Sequence, residues 1–175
     1  MNSFTHKLLN KDIQIFYYLN SKSRSNIRRF MLIITHLGGP AFTILFSVFF
    51  ILKKPAFNPV IGWELLLLLA SSHLFVHIIK RKINRQRPYT VLSNIENLIE
   101  PFENYSFPSG HTTASFSLAL AFSFYLPFLF PVFMILAFLV GISRVYLGVH
   151  YPSDILVGAI IAIVFFFLIH YVFFV

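Results

Sequence analysis

Apolar residues run through this chain in long blocks, separated by short polar strings. Residues 30–52, 60–79, 131–147 and 155–175 each form a block close to the ~20 residues that a bilayer-spanning helix requires. Residues 112–130 form a fifth, softer block that carries Ser115, Ser117 and Ser123. Pro127 and Pro131 mark the turn from it into the next block, Lys53-Lys54-Pro55 closes the first, and Asn58-Pro59 opens the second. The pattern predicts an all-α fold, an integral membrane bundle of about five transmembrane helices in one domain covering residues 1–175.

Two segments have a different pattern. In residues 4–20, Phe4, Leu8, Leu9, Ile13, Phe16 and Leu19 recur at helical spacing, with Lys7, Lys11 and Asp12 between them. This predicts an N-terminal amphipathic interfacial helix within segment 1–27, lying on the membrane surface; a sixth span is the alternative. The longest connection, residues 88–107, joins the second and third spans. Val91, Ile95, Leu98, Ile99 and Phe102 predict a short interfacial helix there, with Glu96, Glu100 and Glu103 facing water. It serves as a surface cap or as a rim over an active site.

Up-down topology then has a consequence. Lys80 and Arg87 close the second span, Ser109–His111 open the third, Arg144 lies near the end of the fourth, and His150 and Asp154 flank the start of the fifth. An antiparallel five-helix bundle brings all of these to one membrane face.

Composition agrees with lipid as the main solvent. The chain is 57% hydrophobic and 11% charged, where a soluble domain carries about a quarter charged residues. Its net charge is +8, from 14 Lys+Arg against 6 Asp+Glu. Because the basic residues flank apolar blocks, this excess fits anionic headgroups and phosphate, not nucleic acid. With no Cys there is no disulfide or thiol chemistry, and the first residues show no removable signal peptide.

The polar strings carry the candidate chemistry. Ser109-Gly110-His111 sits where a helix begins. Ser is a favoured N-cap, Gly permits close backbone approach, and the free N–H groups of a first turn attract anions. An ordinary capped helix explains the string equally well. Lys80, Arg81, Lys82, Arg85 and Arg87 read as a headgroup-facing cluster, within which Arg87, followed by Pro88, offers a planar fork to phosphate oxygens. Arg144 interrupts the fourth span beside Gly141 and Ser143, where an unpaired guanidinium is costly. His150 and Asp154 are four apart, with Pro152 placed as a first helical residue. A carboxylate there can fix the imidazole tautomer and free the other nitrogen to attack; a structural His–Asp pair has the same spacing.

Together the strings read Lys80-x6-Arg87-Pro88, Pro108-Ser109-Gly110-His111 and Ser143-Arg144-x5-His150-x3-Asp154. This set resembles the signatures of the type-2 phosphatidic-acid phosphatase family at every position. The resemblance implies a membrane lipid phosphatase that needs no metal or other cofactor. It implies phosphate binding by Lys80, Arg87, Arg144, Ser109 and the Gly110 backbone. It further implies that His150 is the nucleophile, that Asp154 orients it, and that His111 is the general acid. Larger members have six spans. This chain is most similar to small bacterial members that include undecaprenyl-pyrophosphate phosphatases, so undecaprenyl pyrophosphate is the expected substrate. Phosphatidylglycerophosphate or phosphatidate are alternatives, and a non-catalytic lipid-binding or transport protein is the rival from another class. The expected partners are a lipid phosphate and the bilayer, with no nucleic acid and no obligate protein.

The remaining polar residues are expected to be structural. His73 and His77 share a face with Lys80 but lack acidic or Cys ligands, so no metal site is expected. His36 and His170 are expected to be satisfied within the bundle, and Glu64 to pair with Lys53 or Lys54 at the far membrane edge.

Sidedness draws two opposed expectations. Lys7, Lys11, Lys22, Arg24, Arg28, Arg29, Lys80, Arg81, Lys82, Arg85, Arg87 and Arg144 fall on the motif side, against Lys53 and Lys54 opposite. Positive-inside reasoning turns that side to the cytoplasm. The family resemblance places it on the extracytoplasmic side of the bacterial inner membrane, where carrier lipid is recycled, and that is the expectation retained.

Overall fold

Lipid offers no hydrogen bonds to the backbone, so a spanning chain must satisfy its N–H and C=O groups within each segment. The computed structural model describes residues 3–21, 25–53, 60–101 and 103–174, and apart from one isolated bridge between Gln86 and Tyr105 their regular structure is helical. The helices are α1 (Ser3–Asn20), α2 (Ser25–Thr35), α3 (Pro40–Leu52), α4 (Val60–Ile83), α5 (Pro88–Val91), α6 (Gly110–Tyr125), α7 (Phe130–Tyr146) and α8 (Pro152–Phe173). Short 3₁₀ turns at His36–Gly38 and Pro127–Leu129 join α2 to α3 and α6 to α7.

Three of the described helical stretches are long and apolar enough to cross a membrane: Val60–Ile83, Pro127–Tyr146 and Pro152–Phe173. A fourth is the pair Ser25–Gly38 and Pro40–Leu52, if its 50° bend is counted inside one span. The predicted block 30–52 is thus not one straight helix. Gly39 takes an extended conformation, and Pro40, which has no N–H to donate, starts the next helix. The corner also fits α6 closely, since a Cβ on Gly38 would lie 2.5 Å from the carbonyl oxygen of His111.

The softness of the 112–130 block has a structural reason. Helix α6 is central and packs against α3, α4, α7 and α8. Thr112, Thr113, Ala114, Ser115, Ser117, Ala119 and Ala121 are buried in protein, where small side chains let helix backbones approach. The helix is only 16 residues long. Below its midpoint, Phe50, Leu65, Leu68, Phe122, Phe166 and Ile169 form the main apolar core. Apolar side chains on the outside of the bundle, such as Leu45, Leu74, Ile135, Leu156 and Val172, are exposed as lipid-facing positions should be.

Helix α1 forms as predicted, with one change. Asp12 is buried, not on the polar face, because it bonds to Arg85 and Ser153. The side chains of Phe4 and Leu8 lie outside the described residues. The helix predicted in residues 88–107 is a correction: only the single turn α5 forms. The rest of the loop gives its backbone to other elements. The Asn20 side chain bonds both the N–H and the C=O of Glu96, Leu98 N–H donates to Leu147 O, and Asn94 has φ 57°. Those contacts replace the i to i−4 ladder. Phe102 lies outside the described residues.

Glu64 is also corrected. It is buried, accepts from Tyr125 Oη at 2.7 Å, and lies 2.8 Å from His170 Nδ1. The Lys53 ammonium stands instead 5.8 Å from the Phe49 ring centroid, while Lys54 lies outside the described residues. A buried carboxylate needs close partners of its own, and α6 and α8 supply them.

Candidate active site

The end of α4, the start of α6, the end of α7 and the start of α8 meet at one end of the bundle. There the structure brings together the residues that the strings singled out. Lys80 is on the last turns of α4 and is buried. It forms an ion pair with Glu103 and donates to Tyr105 O at 3.4 Å. Arg87 precedes α5, where Pro88 turns the chain. Its Nε donates to Glu103 O and its Nη1 to Val149 O, both at 2.8 Å. Nη1 also lies 3.4 Å from His150 Nε2.

Ser109 caps α6. Its Oγ accepts from Thr112 N at 3.4 Å and Thr112 Oγ1 at 2.9 Å, which leaves its own proton free to donate. Ser109 N donates to Asp154 O at 3.1 Å, and that bond ties the starts of α6 and α8 together. Gly110 opens the helix next to His73. A Cβ there would lie 3.7 Å from His73 Nε2, while His73 Nδ1 is held 3.0 Å from Leu69 O. His111 follows on the first turn; a Cβ on Gly39 would stand 3.8 Å from its Nε2.

Arg144 is buried on the last turn of α7. Its Nη1 donates to Thr35 Oγ1 at 2.9 Å, and its buried Nε finds no partner among the described residues. A buried guanidinium with an open donor is costly on its own and suits a site that receives an anion. After α7 the chain turns through Gly148 at φ 86°, a conformation glycine adopts at no steric cost. A Cβ there would also meet Glu96 O at 2.7 Å. The turn delivers His150 to the site, with its N–H bonded to Arg144 O at 3.3 Å.

His150 Nδ1 lies 3.4 Å from Asp154 Oδ2. That oxygen also accepts from Tyr151 N at 2.9 Å, which locks the carboxylate over the first turn of α8. Burial pushes the His150 pKa well below the ordinary histidine value, and the charges of Arg144, Arg87 and Lys80 push it the same way. The imidazole is therefore neutral at neutral pH, with Asp154 at one nitrogen and cations at the other. Glu103 behaves differently. Burial alone would raise its pKa, but the Lys80 contact, with Arg87 and His77 behind it, holds it below the usual carboxylate value.

Sequence reasoning missed four groups. Arg85 was expected to face headgroups with Arg81 and Lys82. Instead it turns inward, donates to Asp154 Oδ1 at 2.7 Å and to Asp12 Oδ2 at 2.6 Å, and stacks 3.9 Å above the Tyr151 ring. Glu103 was expected to face water and pairs with Lys80. Thr35 anchors Arg144, and His73 stands beside Gly110. Their partners are distant in sequence, and no local spacing announces them. Among the described residues no group of three or more His, Cys, Asp or Glu is placed to hold a metal ion.

Known proteins place this arrangement. Phosphatidylglycerophosphatase B of Bacillus subtilis (strain 168) is 32% identical over 150 residues, covering 78% of this chain and 70% of that protein. Undecaprenyl-diphosphatase BcrC of the same organism is 35% identical over 78 residues, covering 45% of this chain and 40% of that one. The chain spans less than half the length of several curated relatives that it matches. The crystal structure of a transmembrane PAP2-type phosphatidylglycerolphosphate phosphatase from Bacillus subtilis superposes with TM-score 0.79 at 28% identity, covering 93% of this chain and 84% of that one. Residues 61–175, which hold every cation, histidine and carboxylate of the three strings, match the PAP2 superfamily. The chain, with its membrane-spanning helices, therefore belongs to the PAP2 superfamily.

Proposed function

We propose that this protein hydrolyses a lipid phosphate or pyrophosphate through a phosphohistidine, with undecaprenyl pyrophosphate as its substrate. The observation that carries the reading is the convergence on His150: Arg87 Nη1 at 3.4 Å from Nε2, and Asp154 Oδ2 at 3.4 Å from Nδ1. Lys80, Arg87 and Arg144, with Ser109 Oγ and the Gly110 N–H, bind the phosphoryl oxygens. Nε2 of neutral His150 attacks phosphorus. A P–N bond forms as the P–O bond to the leaving group breaks, and His111 gives that oxygen its proton. Asp154 stabilises the positive charge on the imidazole. His111 then takes a proton from water, which attacks phosphorus, releases phosphate and restores His150. Three side-chain cations supply the charge stabilisation that a metal would otherwise give, so the reaction needs none.

A second substrate, phosphatidylglycerophosphate, is favoured by a specific observation. The relative named for that activity aligns over 78% of this chain, against 45% for the undecaprenyl-diphosphatase. We place five spans in the membrane, counting α2–α3 as one and α6 as another, with the segment 88–107 over the site. We orient the site to the extracytoplasmic side of the bacterial inner membrane.

Phosphate release from a panel of lipid phosphates and pyrophosphates, with excess chelator present, tests substrate and metal independence together. Turnover of undecaprenyl pyrophosphate above the other lipids is expected. Preference for phosphatidylglycerophosphate selects the second substrate, and a requirement for one specific metal contradicts the chemistry. Impermeant thiol labelling of a Cys at Asn94, but not at Lys53, in intact cells is the expected topology.

A further inference from the structure

Helix α1 lies outside the segment that matches the family, yet one stripe of it is built onto the turn between α7 and α8 that carries His150. Asp12, Phe16 and Asn20 are spaced four apart, so they share one helix face, and all three are buried. Asn20 Nδ2 donates to Tyr146 O at 3.0 Å. Phe16 packs on Val145 and Tyr151, with its ring centroid 5.8 Å from that of Tyr151. Asp12 reaches Ser153. Oδ1 accepts from Ser153 N at 2.8 Å, and Oδ2 accepts from Ser153 Oγ at 2.5 Å. The stripe thus grips residues 145–153 on both sides of His150.

Arg85 joins this grip to the reacting centre. Nη2 donates to Asp12 Oδ2, while Nη1 is shared between Ser153 Oγ at 2.6 Å and Asp154 Oδ1 at 2.7 Å. Asp154 therefore has one oxygen bonded by Arg85 and the other by Tyr151 N, while the buried Nδ1 of His150 stands 3.4 Å from that second oxygen and makes no hydrogen bond among the described residues. A carboxylate buried this fully would be costly to ionise without such a cation. The charge count also matters. Arg85 alone would neutralise Asp154 and leave nothing for His150. Asp12 balances Arg85, so two carboxylates and one guanidinium retain a net negative charge beside the imidazole. The neighbours Arg81 and Lys82 are exposed, which sets Arg85 apart from a headgroup-facing cluster.

We propose that Asp12 and Arg85 are positioning residues for the Asp154–His150 pair, and that α1 thereby completes the active site. The proposal rests on the reading of His150 as nucleophile. Neither residue touches the substrate; both act through Asp154, by fixing its orientation and keeping it ionised.

The test uses the full-length protein in detergent or vesicles, with Arg85→Ala, Asp12→Ala, the double variant, and Arg81→Ala as a control for lost charge. Two readouts are taken: kcat and KM on the lipid the wild type turns over, and nitrogen NMR of isotopically labelled histidine, with His150 assigned by loss of its signal in His150→Gln. Misplacing a reacting group by an ångström costs about 10²-fold, so kcat is expected to fall on that scale in Arg85→Ala while KM changes little. Coupled residues are non-additive, so the double variant should be no worse than Arg85→Ala. Methylguanidinium should restore part of kcat to Arg85→Ala, and Arg81→Ala should match wild type. The His150 nitrogen signals should shift in Arg85→Ala and Asp12→Ala. If Arg85→Ala does not fold, Arg85→Lys and Asp12→Asn replace the single variants, with smaller losses expected in the same parameters.

Unchanged kcat and unchanged His150 signals in the Arg85 and Asp12 variants would overturn the proposal, as would losses confined to KM. A wild-type protein that releases no phosphate from any lipid would instead defeat the functional reading. The NMR readout would then decide positioning by itself: shifted His150 signals support it and unshifted ones overturn it.

Discussion

Arg87 Nη1 stands 3.4 Å from His150 Nε2 while the same nitrogen donates to Val149 O, the carbonyl just before that histidine. One guanidinium thus holds both the backbone and the ring of the proposed nucleophile. Arg87 Nε meanwhile donates to Glu103 O at 2.8 Å, so the side chain binds through two nitrogens of a planar fork, which lysine lacks. Arg87→Lys should therefore lose activity despite keeping its charge, by about 10²-fold in kcat, the scale for one lost donor at a developing charge. Comparable kcat in Arg87→Lys and wild type would show that charge alone is needed there.

Glu103 occupies Lys80, one of the cations assigned to phosphate, and is itself half exposed. A substrate phosphate must take its place. Removing it in Glu103→Ala should lower KM by roughly fivefold or less, since half-exposed pairs are worth up to ~1 kcal/mol. The sign with pH is fixed by the lowered pKa of Glu103. The pair persists below the pH at which a free glutamate protonates, and is lost as pH falls through the folded pKa. The KM difference between variant and wild type should therefore vanish at acid pH. A raised KM in Glu103→Ala would mean that Glu103 helps bind substrate.

The depressed pKa of His150 sets the acid side of the rate profile. The attacking imidazole must be neutral, and burial with Arg144, Arg87 and Lys80 favours that form, against the opposing charge of Asp154. The acid limb of kcat/KM assigned to His150 should lie below the ~6.5 of an ordinary histidine. Stability should follow the same sign: full above the unfolded value, and lost as pH falls through the folded one. Arg144→Gln should move the acid limb upward. A limb at or above the ordinary value in the wild type would contradict a pre-neutralised nucleophile.

Much of this site was legible in the sequence because its parts are local strings. Lys80 to Arg87, Ser109 to His111 and Arg144 to Asp154 each fit within a few turns, and up-down topology alone brings them together. The elements that failed to read locally are those whose bonds cross the fold. Asp12 looked like a solvated residue of an amphipathic helix until Arg85, 73 positions away, gave it a buried partner. The apolar spacing from Val91 to Ile99 looked helical, yet Asn20 and Leu147 take the backbone groups that a helix needs. Glu64 seemed close to Lys53 by sequence, and the bundle sends it to His170 instead. The bend at Gly38-Gly39-Pro40 was written in the residues, but hydrophobicity ran through it unbroken.

The buried cluster of Glu64, Tyr125 and His170 gives a prediction about stability, separate from chemistry. It joins α4, α6 and α8 at the end away from the phosphate cations. Glu64→Ala leaves buried donors unpaired, at a cost of about 1–3 kcal/mol. Thermal unfolding in detergent should show a lowered Tm, with kcat near wild type at temperatures where the variant is folded. A large kcat loss in fully folded Glu64→Ala would tie this cluster to the reaction.

Rapid acid-free quenching during turnover of a radiolabelled lipid phosphate tests whether His150 carries the phosphoryl group. Label is expected on the protein, stable to alkali, labile to acid and located by proteolysis at His150. His111→Ala should acquire that label more slowly and also lose it more slowly, because His111 serves both the formation and the hydrolysis of the intermediate. His150→Ala should carry none and release no phosphate. Label on another residue, or phosphate release by His150→Ala at a rate near that of the wild type, would contradict the mechanism.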